Sequence, residues 1–243
     1  MQNSQSLSII LPVYNEGQNI KEVVEKIIAG IKNYINTFEL IIVNDGSTDK
    51  SADIIRSLSV QYPVLRLINI QKNKGYGAAI RTGINNAQMQ WLLIMDADGQ
   101  YEINDLNYFW ARKSGYDFII GYRKKRSDSL YRRLLGKLGN LIANLFLKTG
   151  AFIKDIDCGF KLFKTKDLKM IPLLASGAII SLEILYKLLQ NKPLFIQLPV
   201  IHYKRVAGRA TGGRLKTIKQ NILEFLKLIL NKPVYEHPLN SPI

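Results

Sequence analysis

A single cysteine, Cys158, stands among the 243 residues, so no disulfide can form within the chain and stability has to come from a packed core. No histidine lies near it in sequence to activate the thiol, and it reads as a buried packing residue. The two histidines, His202 and His237, have no partner at metal-ligand spacing, so no zinc site is expected. No uninterrupted apolar run approaches the roughly 18 residues of a membrane-crossing helix, and none is expected. The first residues are polar, and residues 7–12 are too short for the apolar core of a secretory signal, which is not expected either. Internal repeats and low-complexity segments are missing. No Gly-x-Gly-x-x-Gly follows the first apolar run, where Pro12 sits instead, and no phosphate-binding P-loop occurs. Those two absences disfavour dinucleotide dehydrogenases and P-loop NTPases.

Acidic residues are few, with 19 Asp and Glu against 34 Lys and Arg, and the resulting net charge of +15 is localised. Residues 121–150 hold eight Lys/Arg against one Asp, residues 200–232 hold eight against one Glu, and the rest is nearly neutral. Two basic patches on a neutral body imply anionic partners: phosphates, an anionic membrane surface or nucleic acid. The basic segments lack regularly interleaved aromatics, so no nucleic acid is expected. The apolar share of 47% fits a globular chain.

What is there is an alternation of short apolar runs and helical periodicities. Ser8-Ile9-Ile10-Leu11-Pro12 reads as a strand, and residues 18–35 carry Ile20, Val23, Val24, Ile27, Ile28 and Ile31 at helical spacing. A second strand, Glu39-Leu40-Ile41-Ile42-Val43, closes on Asn44-Asp45-Gly46-Ser47-Thr48-Asp49, which starts a helix to about residue 60. A strand over residues 64–70, a helix from Lys74-Gly75-Tyr76-Gly77 to about residue 88, and a strand Trp91–Met95 follow. This predicts an α/β fold with right-handed crossovers and a mostly parallel open sheet flanked by helices. Lys74-Gly75-Tyr76-Gly77 has too few glycines to cradle a phosphate, and close packing at a helix start is its expected role.

The last of those strands delivers Asp96-Ala97-Asp98-Gly99-Gln100 to the edge where open α/β sheets bind ligands. Asp-x-Asp offers two hard oxygen ligands, suited to Mg²⁺ or Mn²⁺ bridging a diphosphate. Glu16 follows the first strand and Asp45 the second, so the acids converge and call for a cation or for hydroxyl and amide partners.

Pro12-Val13-Tyr14-Asn15-Glu16, Val43 to Asp49, Asn73-Lys74-Gly75-Tyr76-Gly77-Ala78-Ala79 and Asp96 to Gln100 resemble the block pattern of family 2 glycosyltransferases of GT-A fold. Within that family they look like the polyprenyl-phosphate glycosyltransferases, such as dolichyl-phosphate mannose synthase. The resemblance runs on through Gly121-Tyr122-Arg123, residues 155–160 and Arg205-Val206-Ala207-Gly208. It implies that Pro12, Tyr14, Glu16, Val43 and Asp45 hold the nucleoside of a GDP- or UDP-sugar. Asp96, Ala97, Asp98 and Gln100 are implied to hold the diphosphate, with Asp96, Asp98 and Gln100 holding Mg²⁺ or Mn²⁺. It implies, further, a polyprenyl phosphate acceptor whose phosphate meets Arg123, Arg132 and Asn140. The catalytic set expected is Asp98, Arg123 and Asp155. Asp155, the position matching the family, or Asp157 serves as a base for a hydroxyl acceptor, or Asp155 is the partner that orients an arginine, and Glu183 is a further acid expected in the same cleft.

Two positions depart from the family pattern. Gly136 stands where a serine is common between Arg132 and Asn140. The Arg-x-x-Gly-x-Ser-Lys pattern reads Arg205-Val206-Ala207-Gly208-Arg209-Ala210-Thr211, which leaves Arg209 to supply the missing lysine's charge near the donor, beside Arg205.

The basic half is amphipathic. Tyr131, Leu134, Leu135, Leu138, Leu141, Ile142, Leu145 and Phe146 form one stripe, and Leu215, Ile218, Ile222, Phe225, Leu226 and Ile229 another. Each stripe either packs on the sheet or, with its cationic flanks, lies on an anionic bilayer. The expectation is one GT-A domain over 1–243, with a nucleotide-sugar half (1–120), an acceptor and membrane-facing half (121–232) and a tail (233–243). It is expected to be peripheral on the cytoplasmic face of the membrane, performing inverting, metal-dependent sugar transfer. A soluble sugar or glycan acceptor, or an inactive partner subunit, are the alternatives.

Overall fold

The structure, a computed structural model, describes residues 5–32, 34–124, 130–148, 152–205, 207–208 and 215–230. Its first half alternates as the periodicities require: β1 (Ser6–Val13), α1 (Ile20–Ile31), β2 (Thr37–Asp45), α2 (Ser51–Gln61), β3 (Leu65–Ile70), α3 (Tyr76–Asn86) and β4 (Trp91–Met95). The second half adds α4 (Leu106–Arg112), β5 (Phe118–Arg123), α5 (Leu130–Leu147), β6 (Phe160–Lys164), α6 (Thr165–Met170), α7 (Ile180–Leu189), β7 (Phe195–Val200) and α8 (Leu215–Leu230).

The strands form one seven-stranded sheet in the order β3-β2-β1-β4-β6-β5-β7. All neighbours pair in parallel except β6, which runs antiparallel to both β4 and β5. Side chains alternate across each strand, and both faces are covered. Leu7, Ile9 and Leu11 join one core with α1, α2 and α4, while Ile10, Ile41 and Val43 join the other with α3, α6 and α7. Burial of each such side chain contributes about 1.5–3 kcal/mol, which makes these two layers the main stabilising term. All six periodic residues of α1 are buried, and the helix stops at Ile31, short of the expected residue 35.

The chain builds outward from β1 to β2 and β3, then returns to place β4 on the other side of β1. Connections therefore leave in opposite directions at the carboxyl ends of β1 and β4, and a crevice opens between them. Glu16, Asp96 and Asp98 follow β1 and β4 on the loops at that crevice, and Asp45 ends the neighbouring β2.

The amphipathic helices leave much of their apolar stripes exposed. On α5 the positions facing the protein are Asn140, Ala143, Asn144 and Leu147, whereas Leu134, Leu138, Leu141, Ile142 and Leu145 are between 45% and 67% exposed. On α8, Phe225 and Leu228 turn inward while Ile222, Leu223, Leu226 and Leu230 are exposed. Phe146 of α5 meets Phe225 of α8 edge-on, with ring centroids 5.4 Å apart, so the two helices are in contact. Among the described residues no helix is long and apolar enough to cross a membrane.

Candidate active site

Each acid at the crevice is held by hydrogen bonds, several of them from segments distant in sequence. Asp45 ends β2, is buried, and accepts from the backbone N–H groups of Lys74 and Gly75, both at 2.8 Å. Gly75 reaches that position with φ of +100°, a conformation that a side chain would strain. Burial pushes the Asp45 carboxyl up, and the two N–H bonds pull it part of the way back. Glu16 accepts from Asn19 Nδ2 at 2.7 Å and from Arg205. Asp98 accepts from the N–H of Gln100 at 3.1 Å. Its carboxyl is pushed up to about 7 by burial and then by the charge of Asp96.

Arg205 ties these acids together. Its Nη2 donates to Glu16 Oε1, and its Nη1 lies 3.4 Å from Asp98 Oδ2. The segment carrying it is laced across the crevice. Gln100 Nε2 donates to the Tyr203 carbonyl at 2.8 Å, Tyr203 N donates to the Gln100 carbonyl at 2.7 Å, and Asn19 Nδ2 donates to the Ala207 carbonyl at 3.2 Å. The Gln100 amide, expected among metal ligands, is thus turned to the backbone of the covering segment. Pro12 and Val43 are register partners at the ends of β1 and β2, Tyr14 is 40% exposed at the mouth, and Ala97 is buried.

Asp96 sits deepest. The Tyr76 hydroxyl donates to its Oδ1 at 2.8 Å, and burial pushes its carboxyl up against the pull of that bond and of Lys161. Room for the carboxylate exists only because residue 159 is glycine: a Cβ there would lie 2.0 Å from Asp96 Oδ2. Lys161, on β6, is buried and donates to the Cys158 carbonyl, so its ammonium stands behind the acids. Sequence reasoning missed Tyr76, Gly159 and Lys161. The Lys74 to Gly77 run was read only as close packing at a helix start, and only the folded chain shows that Tyr76 and Gly159 both close on Asp96.

At the end of β5, Arg123 and Asp155 form a bidentate pair, Nε to Oδ2 at 2.6 Å and Nη2 to Oδ1 at 2.7 Å, with side chains 9% and 11% exposed. Of the two roles considered for Asp155, the geometry is that of the orienting partner, since both its oxygens face the guanidinium. Asn140 also takes a different place from the one expected. Its Nδ2 donates to the Ile153 carbonyl at 2.8 Å and its Oδ1 accepts from Ile156 N at 2.9 Å, which fixes the loop holding Asp155 instead of facing an anion. Glu183 lies outside the crevice, buried beside Lys187 at 2.6 Å and accepting from Leu174 N and Ala175 N. Cys158 is buried, and burial pushes its thiol up to about 11, as suits a packing residue. The Arg132 side chain, Arg209, Ala210, Thr211 and the tail lie outside the described residues.

Among the described residues no three histidine, cysteine or acidic side chains could hold a metal ion between them. Asp96 and Asp98 do present hard carboxylate oxygens from one turn, and Mg²⁺ or Mn²⁺ usually takes one or two carboxylates with phosphate oxygens and water. The residues therefore fit an ion shared with a bound diphosphate, and not one held by protein groups alone.

The model of glycosyl transferase family 2 matches residues 8–177. The chain is 31% identical over 176 residues to the dodecaprenyl-phosphate galacturonate synthase of Rhizobium johnstonii, covering 70% of this chain and 51% of that protein. It is 29% identical over 227 residues to the undecaprenyl-phosphate 4-deoxy-4-formamido-L-arabinose transferase of Edwardsiella ictaluri, covering 88% and 65%. A dolichyl-phosphate beta-glucosyltransferase of Trichomonas vaginalis is 30% identical over 177 residues, covering 68% and 55%. The chain thus spans about half to two thirds of the length of these relatives. Among solved structures, glucosyl-3-phosphoglycerate synthase of Mycobacterium tuberculosis, in complex with Mn²⁺, UDP and glucosyl-3-phosphoglycerate, superposes with a TM-score of 0.71 at 14% identity. That match covers 97% of this chain and 82% of the other, and shows the shared fold.

Proposed function

Because this chain belongs to glycosyl transferase family 2, we propose that it moves one sugar from a nucleotide diphosphate sugar to a polyprenyl phosphate, with inversion at the anomeric carbon. The observation that carries this reading is the meeting of Glu16 and Asp98 under one guanidinium, with Asp96 beside them, in the crevice between β1 and β4. The names of three relatives, each a transferase acting on a polyprenyl or dolichyl phosphate, support the choice of acceptor.

In this reading Pro12, Tyr14, Glu16, Val43 and Asp45 line the nucleoside, Asp45 acting through the loop it holds at Lys74 and Gly75. Asp96 and Asp98 would hold Mg²⁺ or Mn²⁺, which when bound neutralises the departing diphosphate. Arg205 adds a protein cation at the same place. Arg123, held rigid by Asp155, positions the acceptor phosphate and offsets its repulsion from the donor. A phosphate oxygen bonds to the anomeric carbon as the bond to the diphosphate oxygen breaks, and the nucleoside diphosphate leaves with the electron pair. The acceptor phosphate is already ionised at neutral pH, so no general base is required. That agrees with an Asp155 committed to Arg123.

The outward apolar faces of α5 and α8, with their basic flanks, would rest in the interface of an anionic bilayer and bring the crevice to its lipid substrate. The cytoplasmic leaflet carries such anionic lipids, so the chain would be peripheral there.

The test is an assay with liposomes containing polyprenyl phosphate and a panel of UDP- and GDP-sugars with Mn²⁺ or Mg²⁺. One donor should yield a lipid-linked sugar, and Asp98→Ala should abolish the product. Product on soluble acceptors alone, or none from any donor, would overturn the reading.

A further inference from the structure

Residues 175–177 lie against the start of α3, and two carboxylates from different helices close on the backbone of residues 174–177. Glu183 of α7 accepts from Leu174 N at 3.0 Å and Ala175 N at 2.8 Å. Glu224 of α8 accepts from Gly177 N at 2.9 Å and Ser176 N at 3.3 Å, and Gln220 one turn earlier donates to it at 3.1 Å. Glu224 is the one acid among the eight Lys/Arg of residues 200–232. Its neighbours on α8 at 222, 223 and 226 carry the exposed apolar face.

The loop is packed against the Gly75-Tyr76-Gly77 segment with no slack. Gly77 N donates to the Ser176 carbonyl at 2.7 Å. A Cβ on Gly75 would lie 2.4 Å from Ser176 O, and one on Gly77 2.5 Å from Ala175 O. Between the two glycines stands Tyr76, whose hydroxyl fixes Asp96 at 2.8 Å, while Gly75 N holds Asp45 at 2.8 Å. A shift of the loop would therefore carry with it the segment whose tyrosine hydroxyl is bonded to Asp96.

We propose that Glu224 is a positioning residue for the donor site: through residues 174–177 it seats the Tyr76 hydroxyl on Asp96, so that α8 and the diphosphate-binding turn are held as one unit. The proposal rests on the reading that Asp96 helps hold a divalent ion on the donor. Groups that orient a metal ligand are worth about 10- to 100-fold in metal affinity, which sets the size of effect to look for.

Mn²⁺ is titrated calorimetrically into the full chain with UDP or GDP, for wild type, Tyr76→Phe, Glu224→Ala, Glu224→Gln and the Tyr76→Phe/Glu224→Ala double variant. Melting temperatures are taken without metal. Tyr76→Phe and Glu224→Ala should each weaken Mn²⁺ binding about tenfold or more. Because they act in series, the double variant should bind no more weakly than the worse single one. Glu224→Gln, which keeps an acceptor oxygen, should retain most of the affinity. Wild-type affinity in Glu224→Ala, or fully additive losses in the double variant, would overturn the proposal. A purely structural loss would lower the melting temperatures yet leave the two effects additive. If wild type binds no Mn²⁺ with either nucleotide, the metal reading itself fails and the proposal falls with it. If Tyr76→Phe alone loses affinity, the metal reading stands and only Glu224's part is refuted.

Discussion

Arg205 lies across the mouth of the crevice with Nη1 3.4 Å from Asp98 Oδ2, while its other terminal nitrogen donates to Glu16. A cation of the protein's own thus stands among acids that β1 and β4 deliver separately. Even so, burial and the charge of Asp96 keep the Asp98 carboxyl up at about 7, above an ordinary 3.8. Since its pKa is higher folded than unfolded, the folded chain holds the extra proton between those values. Its contribution to stability is therefore full at low pH and lost as pH rises through about 7. Without metal, the melting temperature of wild type relative to Asp98→Asn should fall from about pH 4 to about pH 8. With nucleotide and Mn²⁺ the trend should reverse, because the ion binds the ionised carboxylate. A difference that stays flat with pH would contradict the assignment.

Gly159→Ala places a methyl where Asp96 Oδ2 lies 2.0 Å away, so the carboxylate that Tyr76 holds has to shift. The expected result is a loss of Mn²⁺-dependent nucleotide binding of about tenfold or more. Overpacking should also cost about 1–3 kcal/mol of stability. Calorimetric titration together with urea unfolding separates the two effects.

Asp155→Ala leaves Arg123 buried without its bidentate partner. Breaking such a pair costs about 3–5 kcal/mol, so the urea midpoint should drop markedly. Asp155→Asn keeps one acceptor for Arg123 Nε and should lose less. In both variants the KM for the acceptor phosphate should rise more than the KM for the donor, which steady-state kinetics would resolve.

Leu138→Glu and Leu145→Glu change side chains that are 56% and 67% exposed, so stability should stay within about 0.5 kcal/mol of wild type. Sedimentation with anionic liposomes should nevertheless show sharply reduced binding, and the variant Val60→Glu, on α2 and 84% exposed, should bind as wild type does. Equal binding by all three would speak against the α5 face as the contact.

The first four strands and three helices were legible because their apolar residues recur with the period of the element. Ile20 to Ile31 on α1 and Trp91 to Met95 on β4 needed no partner to be read. The Asp96 and Asp98 pair was legible for a similar reason, as it follows directly from a buried strand. On α5 the stripe was visible, but periodicity cannot say which medium a stripe faces. Asn140 and Asn144 decide the matter by bonding the backbone of Ile153 and Ile156, at separations of 9 to 16 positions along the chain. Tyr76, Gly159 and Glu224 were illegible because their significance lies in contacts across 20 to 63 positions of chain, where no local pattern marks them.

The reversed direction of β6 has a consequence for how the chain tolerates change. In a sheet of uniformly parallel strands, every segment entering a strand does so at the edge away from the ligand. Because β6 points the other way, the residues leading into it, Asp155 to Gly159, are threaded past the carboxyl ends of β4 and β5. Insertions between α5 and β6 would thus displace the partner of Arg123 and the neighbour of Asp96 in a single stroke.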